Sequence, residues 1–366
     1  LSLTQVGSRF MPVGFYYKTF IRPKSLWPLY ERALRHATGL GEVHPNTPPG
    51  EFDKQYLHAD VAVIGGGPAG LSAALAAADF DKTQSKDREA RVLLFDENPA
   101  LGGHLRFTFP LHSPLPDLLE AIHRQPNVTA FTDTAVLGWY QDNWLSAVRG
   151  SRQFKIRARS VVVATGAYET PLLFDNNDLP GVMLGSAVQR LLHLYGVAPG
   201  RHVLIVTAND DGWDVAADLH TLGVTVAAIV DERDRHACSS PYMDGLVAAR
   251  IPIFYGHTIL EALGSREVNG ARIARIDAEG GIDPAIAQSL KCDLIAVGMG
   301  WTPAAELVYM AGGKLVYNEE QAEILPVTTP PGIYIAGRAA GTHTLEAQIA
   351  EGRTAGLDAG AFIGEN

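Results

Sequence analysis

The feature that most constrains this chain is the apolar run Val61-Ala62-Val63-Ile64, followed at once by Gly65-Gly66-Gly67-Pro68-Ala69-Gly70. A strand-like run that ends in Gly-x-Gly-x-x-Gly and opens a helical run of small residues predicts a strand, a tight turn and a helix in one βαβ unit. Each glycine has its own duty in such a turn. Gly65 makes the bend, Gly67 lets the backbone approach a pyrophosphate, and Gly70 lets helix and strand pack closely. Pro68 and Ala69 open the helix, whose first N–H groups would face the phosphates. By hydropathy alone Val61 to Ala78 could cross a membrane, but the central Gly-Gly-Gly-Pro argues for strand, turn and helix instead.

Arg91 to Phe95 reads as the next strand, and the polar stretch Asp79 to Arg88 before it is longer than the connection needs, so a mobile surface loop is expected there. The acidic pair Asp96-Glu97 closes that strand, where a carboxylate would take the ribose hydroxyls of a nucleotide. The 26 residues from Gly70 to Asp96 exceed the usual ~20 by about the extra loop. Asp96 is the first candidate and Glu97 the fallback. Residues 126–158 alternate like antiparallel strands, and Ser160 to Gly166 returns as a buried strand. A second βαβ unit begins at Arg201, and further apolar strands lie at 294–298 and 333–337, with a helix from Leu345 to Gly356 at the end.

This order predicts an α/β protein in which a Rossmann-type dinucleotide-binding fold is interrupted by a second, degenerate Rossmann-like domain. The expected division is an N-terminal arm and linker over 1–58, the dinucleotide-binding domain over 59–185 and 325–366, and the second domain, without nucleotide, over 186–324. In the arm, Phe15 to Phe20 is aromatic and reads as packing surface, Ser25 is placed to cap a helix through Tyr30, Ala33 and Leu34, and 44–50 reads as a linker.

At 366 residues, 46% hydrophobic and 19% charged, the chain is long enough for about two domains and apolar enough for a real core. A net charge of −10 argues against nucleic-acid binding, although a helix start can still hold a small anionic cofactor. The only cysteines, Cys238 and Cys292, form neither a C-x-x-C pair nor a metal-ligand spacing, so a reduced cytoplasmic protein with no metal site is expected. The first residues have no basic region leading into an apolar one, so no signal peptide is expected, and without an opening Met the chain is expected to be part of a longer one.

Taken together, Val63 to Gly70, Asp96 to Gly103, Ala164-Thr165-Gly166 and Gly332 to Gly337 resemble the two-dinucleotide-fold flavoprotein family that includes thioredoxin and glutathione reductases. These motifs add Gly103, Thr165, Gly166, Gly337, Arg338 and Thr344 to Gly65, Gly67, Pro68, Ala69, Gly70, Asp96 and Glu97 as cofactor-binding candidates. Pro12 to Phe20 and Arg22 to Pro28 give a closer resemblance to the alpha subunit of heterotetrameric sarcosine oxidase and its amine and amino-acid dehydrogenase relatives. In that family the subunit is much longer, with a ferredoxin-like region before this part and a folate-binding aminomethyltransferase-like region after it. The resemblance implies NAD, with FAD as the alternative, in the first nucleotide site. It also implies substrate oxidation at FAD on a separate beta-type subunit, and FMN between subunits.

Three departures refine this expectation. The second βαβ reads Val206-Thr207-Ala208-Asn209-Asp210-Asp211-Gly212, which places a side chain where backbone should meet a pyrophosphate and negative charge at a helix start. No paired cysteines exist for disulfide exchange. Arg338 stands where flavin enzymes of the superfamily generally carry Asp, which favours a nonflavin dinucleotide, and as a cation it could pair with a pyrophosphate. His343, before the last helix, could contact the cofactor or only cap. Three readings stay open: a nucleotide-binding subunit of an amine-oxidising complex, a free-standing FAD-dependent NAD(P)H oxidoreductase, and a scaffold stabilised by its nucleotide.

Overall fold

The structure, a computed structural model, describes residues 22–38, 46, 50–84, 90–108 and 113–365. Residues 1–51 and 52–366 form separate compact units. In the first, helix α1 (Trp27–Thr38) carries Tyr30, Ala33 and Leu34. Ser25 does not cap it: a 3-10 turn at Lys24–Leu26 already takes Ser25 up, and the Trp27 N–H closes that turn onto the Lys24 carbonyl. The aromatic run 15–20 and most of the linker 44–50 lie outside the described residues.

The second unit starts with β1 (Asp53–Ile64), polar and exposed in its first half and buried on both faces in its second. Then come α2 (Pro68–Gln84), β2 (Val92–Phe95), α3 (Leu115–Arg124), β3 (Val128–Phe131), β4 (Ala135–Tyr140), β5 (Trp144–Arg149) and β6 (Arg152–Val163). They form a sheet in the order β3-β2-β1-β6-β5-β4. A later strand, Ile333–Ile335, returns to pair with β6 in parallel.

Two expectations need correction here. The stretch 126–131 is not antiparallel, because α3 carries the chain over the sheet and β3 adds in parallel to β2; only β4, β5 and β6 alternate in direction. The polar stretch after Ala78 continues α2 as far as Gln84, and 85–88 lie outside the described residues.

After β6 come β7 (Ala167–Glu169), β8 (Val182–Leu184), α4 (Gly185–Tyr195), β9 (His202–Thr207), α5 (Asp211–Thr221), β10 (Thr225–Asp231), α6 (Met243–Ala248) and β11 (Ile253–Tyr255). A small antiparallel sheet, β12 (His257–Gly264), β13 (Val268–Arg275) and β14 (Gln288–Leu290), then leads to β15 (Leu294–Gly298). The parallel sheet β11-β10-β9-β15-β8 is the second Rossmann-like layer. β16 (Trp301–Pro303), α7 (Glu306–Met310), the hairpin β17 (Lys314–Asn318) and β18 (Glu323–Thr328), β19 (Ile333–Ile335) and α8 (Leu345–Glu365) complete the chain.

Each parallel sheet has an apolar cluster on both faces, which is why its central strands read as unbroken apolar runs. The last helix runs past Gly356 to Glu365 and lies directly against α2. A Cβ on Gly352 would sit 2.1 Å from the Ala69 carbonyl oxygen, and one on Gly356 would sit 2.2 Å from that of Ala73, so this contact needs bare backbone. Among the described residues no helix is long and apolar enough to cross a membrane, and Val61 to Ala78 is divided between β1 and α2.

Candidate functional site

The glycine loop between β1 and α2 is shaped by two kinds of glycine. Gly65 has φ +104°, and a Cβ there would lie 2.1 Å from the Ala164 carbonyl oxygen. One on Gly70 would lie 1.8 Å from the oxygen of Gly65. These two are demanded by the fold. A Cβ on Gly67 would meet nothing nearer than the Gly103 Cα at 3.9 Å, so the backbone at the start of α2 is left open on this side. Gly103 approaches from a second loop, tied down by the Gly102 N–H donating to the Gly66 oxygen (2.7 Å).

Asp96 holds this arrangement from below. It is 6% exposed, and its carboxylate accepts from the Gly66 N–H (2.7 Å) and from the backbone and side-chain N–H of Asn98 (2.7 and 2.9 Å). Its neighbour Glu97 is exposed and lines the cleft above the loop.

That cleft, about 720 Å³, falls in the size range of small-molecule and cofactor sites. Gly65, Gly67, Pro68 and Ala69 line it from the loop, and Asp96, Glu97 and Gly103 from the end of β2 and beyond. Thr165 and Gly166, after β6, and Gly337 and Arg338, after β19, line the other side. Gly70 packs helix on strand and does not face the cleft, and Thr344 is not among its lining residues. Thr344 gives its carbonyl to the Gln348 N–H instead, while the buried Gln348 reaches the cleft wall. His343 also turns elsewhere, its Nε2 lying 2.9 Å from the Glu323 carboxylate.

The far wall brings in residues that no local pattern announces: His104, Glu169 and Trp301. Arg338 stacks its guanidinium over the Trp301 ring, 4.1 Å from the centroid, and Trp301 Nε1 donates to Asp211 at the start of α5. The guanidinium lies 3.9 Å from the same Asp211 carboxylate. Burial and the nearby Arg338 charge push the His104 pKa down to about 3, so this imidazole is neutral. Glu169 accepts from the Ser186 N–H (2.8 Å), and burial raises its pKa above the ordinary carboxylate value.

In the second Rossmann-like layer the equivalent loop is closed by its own side chains. The Thr207 hydroxyl, 2.8 Å from the Gly298 oxygen, fills the turn, and a Cβ on Gly212 would lie 2.4 Å from Thr207. Asp210 pairs with Arg233 (2.9 Å) and accepts from the Ser239 hydroxyl (2.6 Å), while Asp231, wholly buried, accepts from Trp213 Nε1 (2.8 Å) and from Arg233. Burial and neighbouring carboxylates raise the Asp214 pKa to about 7.

A family model described as pyridine nucleotide-disulphide oxidoreductase matches residues 59–354. The chain is 35% identical to the alpha subunit of sarcosine oxidase of Rhizobium meliloti (strain 1021) over 96% of its own length. It spans about a third (35%) of that relative. It is 28% identical to an opine oxidase subunit of Agrobacterium tumefaciens (strain Ach5), over 82% of this chain and 65% of that one. The fold superposes on the crystal structure of L-proline dehydrogenase from P. horikoshii with a TM-score of 0.63 at 24% identity, covering 84% of this chain and 56% of the other. The glycine loop, the cleft it opens into and the matched span agree: the chain belongs to the pyridine nucleotide-disulphide oxidoreductase family, among relatives of the alpha subunits of sarcosine oxidase.

Proposed function

We propose that the chain is the dinucleotide-binding part of an amine- or amino-acid-oxidising flavoprotein complex, that it holds NAD on the Gly65–Gly70 loop, and that a partner subunit carries out substrate oxidation. The observation that carries this reading is the open backbone at Gly67, where a pyrophosphate can reach the first N–H groups of α2. In this arrangement Glu97 takes the ribose hydroxyls and Asp96, already committed to Gly66 and Asn98, keeps the loop in shape. That relatives are named as oxidase subunits supports a partner chain; in this reading the partner is a beta-type flavin-bearing subunit, with FMN at the interface, in the cytoplasm.

The domain division that goes with this reading takes 59–185 and 325–366 as the nucleotide fold and 186–324 as the second, nucleotide-free fold, although β8, inside the first range, pairs with β15 and so belongs to the second sheet. FAD on the same loop, in a free-standing NAD(P)H oxidoreductase, is the second reading. Against it stand the closed loop of the second layer and Arg338 in the last motif.

Amine oxidation needs a flavin ring stacked on a positioned C–H bond. The test is therefore amine-dependent reduction of an artificial electron acceptor, measured on this chain with NAD and again in the presence of a flavin-bearing beta-type partner. Turnover that appears only with the partner supports the reading. Turnover by the chain alone at ordinary enzyme rates of ~1–1000 per second would contradict it.

A further inference from the structure

Arg338 is the least satisfied side chain of the cleft. Its side chain is 13% exposed, and its Nε is buried with no partner. Five N–H donors sit on this guanidinium, yet among the described residues none makes a hydrogen bond, and the nearest carboxylate, Asp211, is 3.9 Å away. Nε is the buried donor, while the terminal N–H groups are not among the buried unpartnered atoms and line the cleft without a protein acceptor among the described residues, where a ligand can supply one. Stacking on Trp301 fixes the plane in which they point.

Glu169 stands on the same wall and offers the opposite polarity. One oxygen, Oε2, accepts from the Ser186 N–H (2.8 Å), and the Ser186 side chain also hydrogen-bonds the carboxylate, which keeps lone pairs to spare on its four acceptor sites. The cleft thus presents an unused donor group and a carboxylate with spare acceptor capacity together. A carboxamide is the complementary head, with one carbonyl oxygen and an NH2 that donates.

The surrounding charge selects between a carboxamide and a carboxylate. Arg338 acts electrostatically on Glu169, Asp214 and Glu323 and contacts Asp211. Asp211 already balances part of the Arg338 charge and Glu169 is an acidic group on the same wall, so a neutral amide fits here better than a second carboxylate.

Sheet order fixes which end of a dinucleotide arrives here. The loop lies at the end of β1, with β2 and Glu97 on one side and β6 and β19 on the other. With the adenosine ribose at Glu97, the other half must pass over Thr165, Gly166 and Gly337 toward Glu169 and Arg338.

Resting on the assignment of NAD to the Gly65–Gly70 loop, we propose that Arg338 and Glu169 form a carboxamide-reading subsite for the nicotinamide ring, Arg338 donating to its carbonyl oxygen and Glu169 Oε1 accepting from its amide N–H.

Calorimetric titration of the full chain with NAD, ADP-ribose and the nicotinic-acid analogue of NAD tests this. NAD should bind ~10–100-fold tighter than either of the others, the loss expected when one or two buried hydrogen bonds go unmade. In Glu169→Gln the Ser186 N–H keeps the amide oxygen, so an NH2 faces the ligand; preference should shift from NAD to the nicotinic-acid analogue, with ADP-ribose affinity unchanged. Arg338→Lys, which lacks the planar fork, should lose the NAD preference and also keep ADP-ribose affinity. Equal binding of NAD and ADP-ribose by the unmodified chain, or an unchanged preference in Glu169→Gln, overturns the subsite while leaving the loop assignment intact. Binding of FAD with no affinity for NAD or ADP-ribose overturns the loop assignment and the subsite together.

Discussion

Gly67→Ala separates binding from folding more cleanly than any other change in the loop. Gly67 is not in the left-handed region, and its added Cβ would meet only the Gly103 Cα at 3.9 Å, an ordinary contact. The folding cost is therefore that of replacing glycine by alanine at a helix start, about 1 kcal/mol or less. The methyl group occupies the space through which a pyrophosphate must reach the backbone. Charge-assisted hydrogen bonds contribute about 1.5–3 kcal/mol each, so losing two weakens binding by about 3–6 kcal/mol, or ~10²–10⁴ in Kd. Calorimetric unfolding of the nucleotide-free chain should show a melting point lower by roughly 4 °C or less, and titration with NAD should show the affinity loss. Unchanged affinity with unchanged stability would refute the placement of the pyrophosphate.

Gly70→Ala and Gly352→Ala should do the reverse and damage the fold itself, because their Cβ atoms would lie 1.8 and 2.1 Å from backbone oxygens; each should destabilise the chain by about 3 kcal/mol or more, read by denaturant unfolding. Asp214 has a folded-state pKa raised to about 7 from 3.8, so the folded state binds the extra proton between those values and stability falls as pH rises through that window. Asp214→Asn should flatten that fall and raise the melting temperature at pH 8 relative to the parent, and an unchanged pH profile would show that the group is not buried as described. Burial pushes the thiols of Cys238 and Cys292 up to about 11 and about 12, so iodoacetamide at pH 7.5 should modify both far more slowly than a free thiol, as mass spectrometry would record.

The first nucleotide fold was legible because its demands are local. Val61 to Gly70 needs strand, bend and bare backbone within ten consecutive positions, and the structure uses every glycine of the motif. The closed second loop was legible for the same reason, since Thr207, Asp210 and Asp211 sit where a phosphate would have to go. Helix α3 was missed: Pro114 and Pro116 suggest loop, yet both stand at its N-terminal end, where a missing N–H costs nothing. The α2–α8 contact had a readable signal in Gly352, Gly356 and Gly360, one turn apart on a helix, but nothing in the pattern names the opposing helix. Arg338 illustrates the limit. Its position in the motif suggested pyrophosphate, whereas its guanidinium is placed by Trp301 and Asp211, which are distant in sequence and meet only through the packing of the two folds. Asp96 and Glu97 are adjacent in sequence, and only the fold shows which carboxylate is already in use.

The most direct test of the central claim is the nucleotide released when the purified chain is denatured, identified by mass and absorbance and counted per chain. The account predicts NAD, colourless and at one per chain, bound on the first fold with none on the second. Yellow FAD in its place, or two nucleotides per chain, would contradict it.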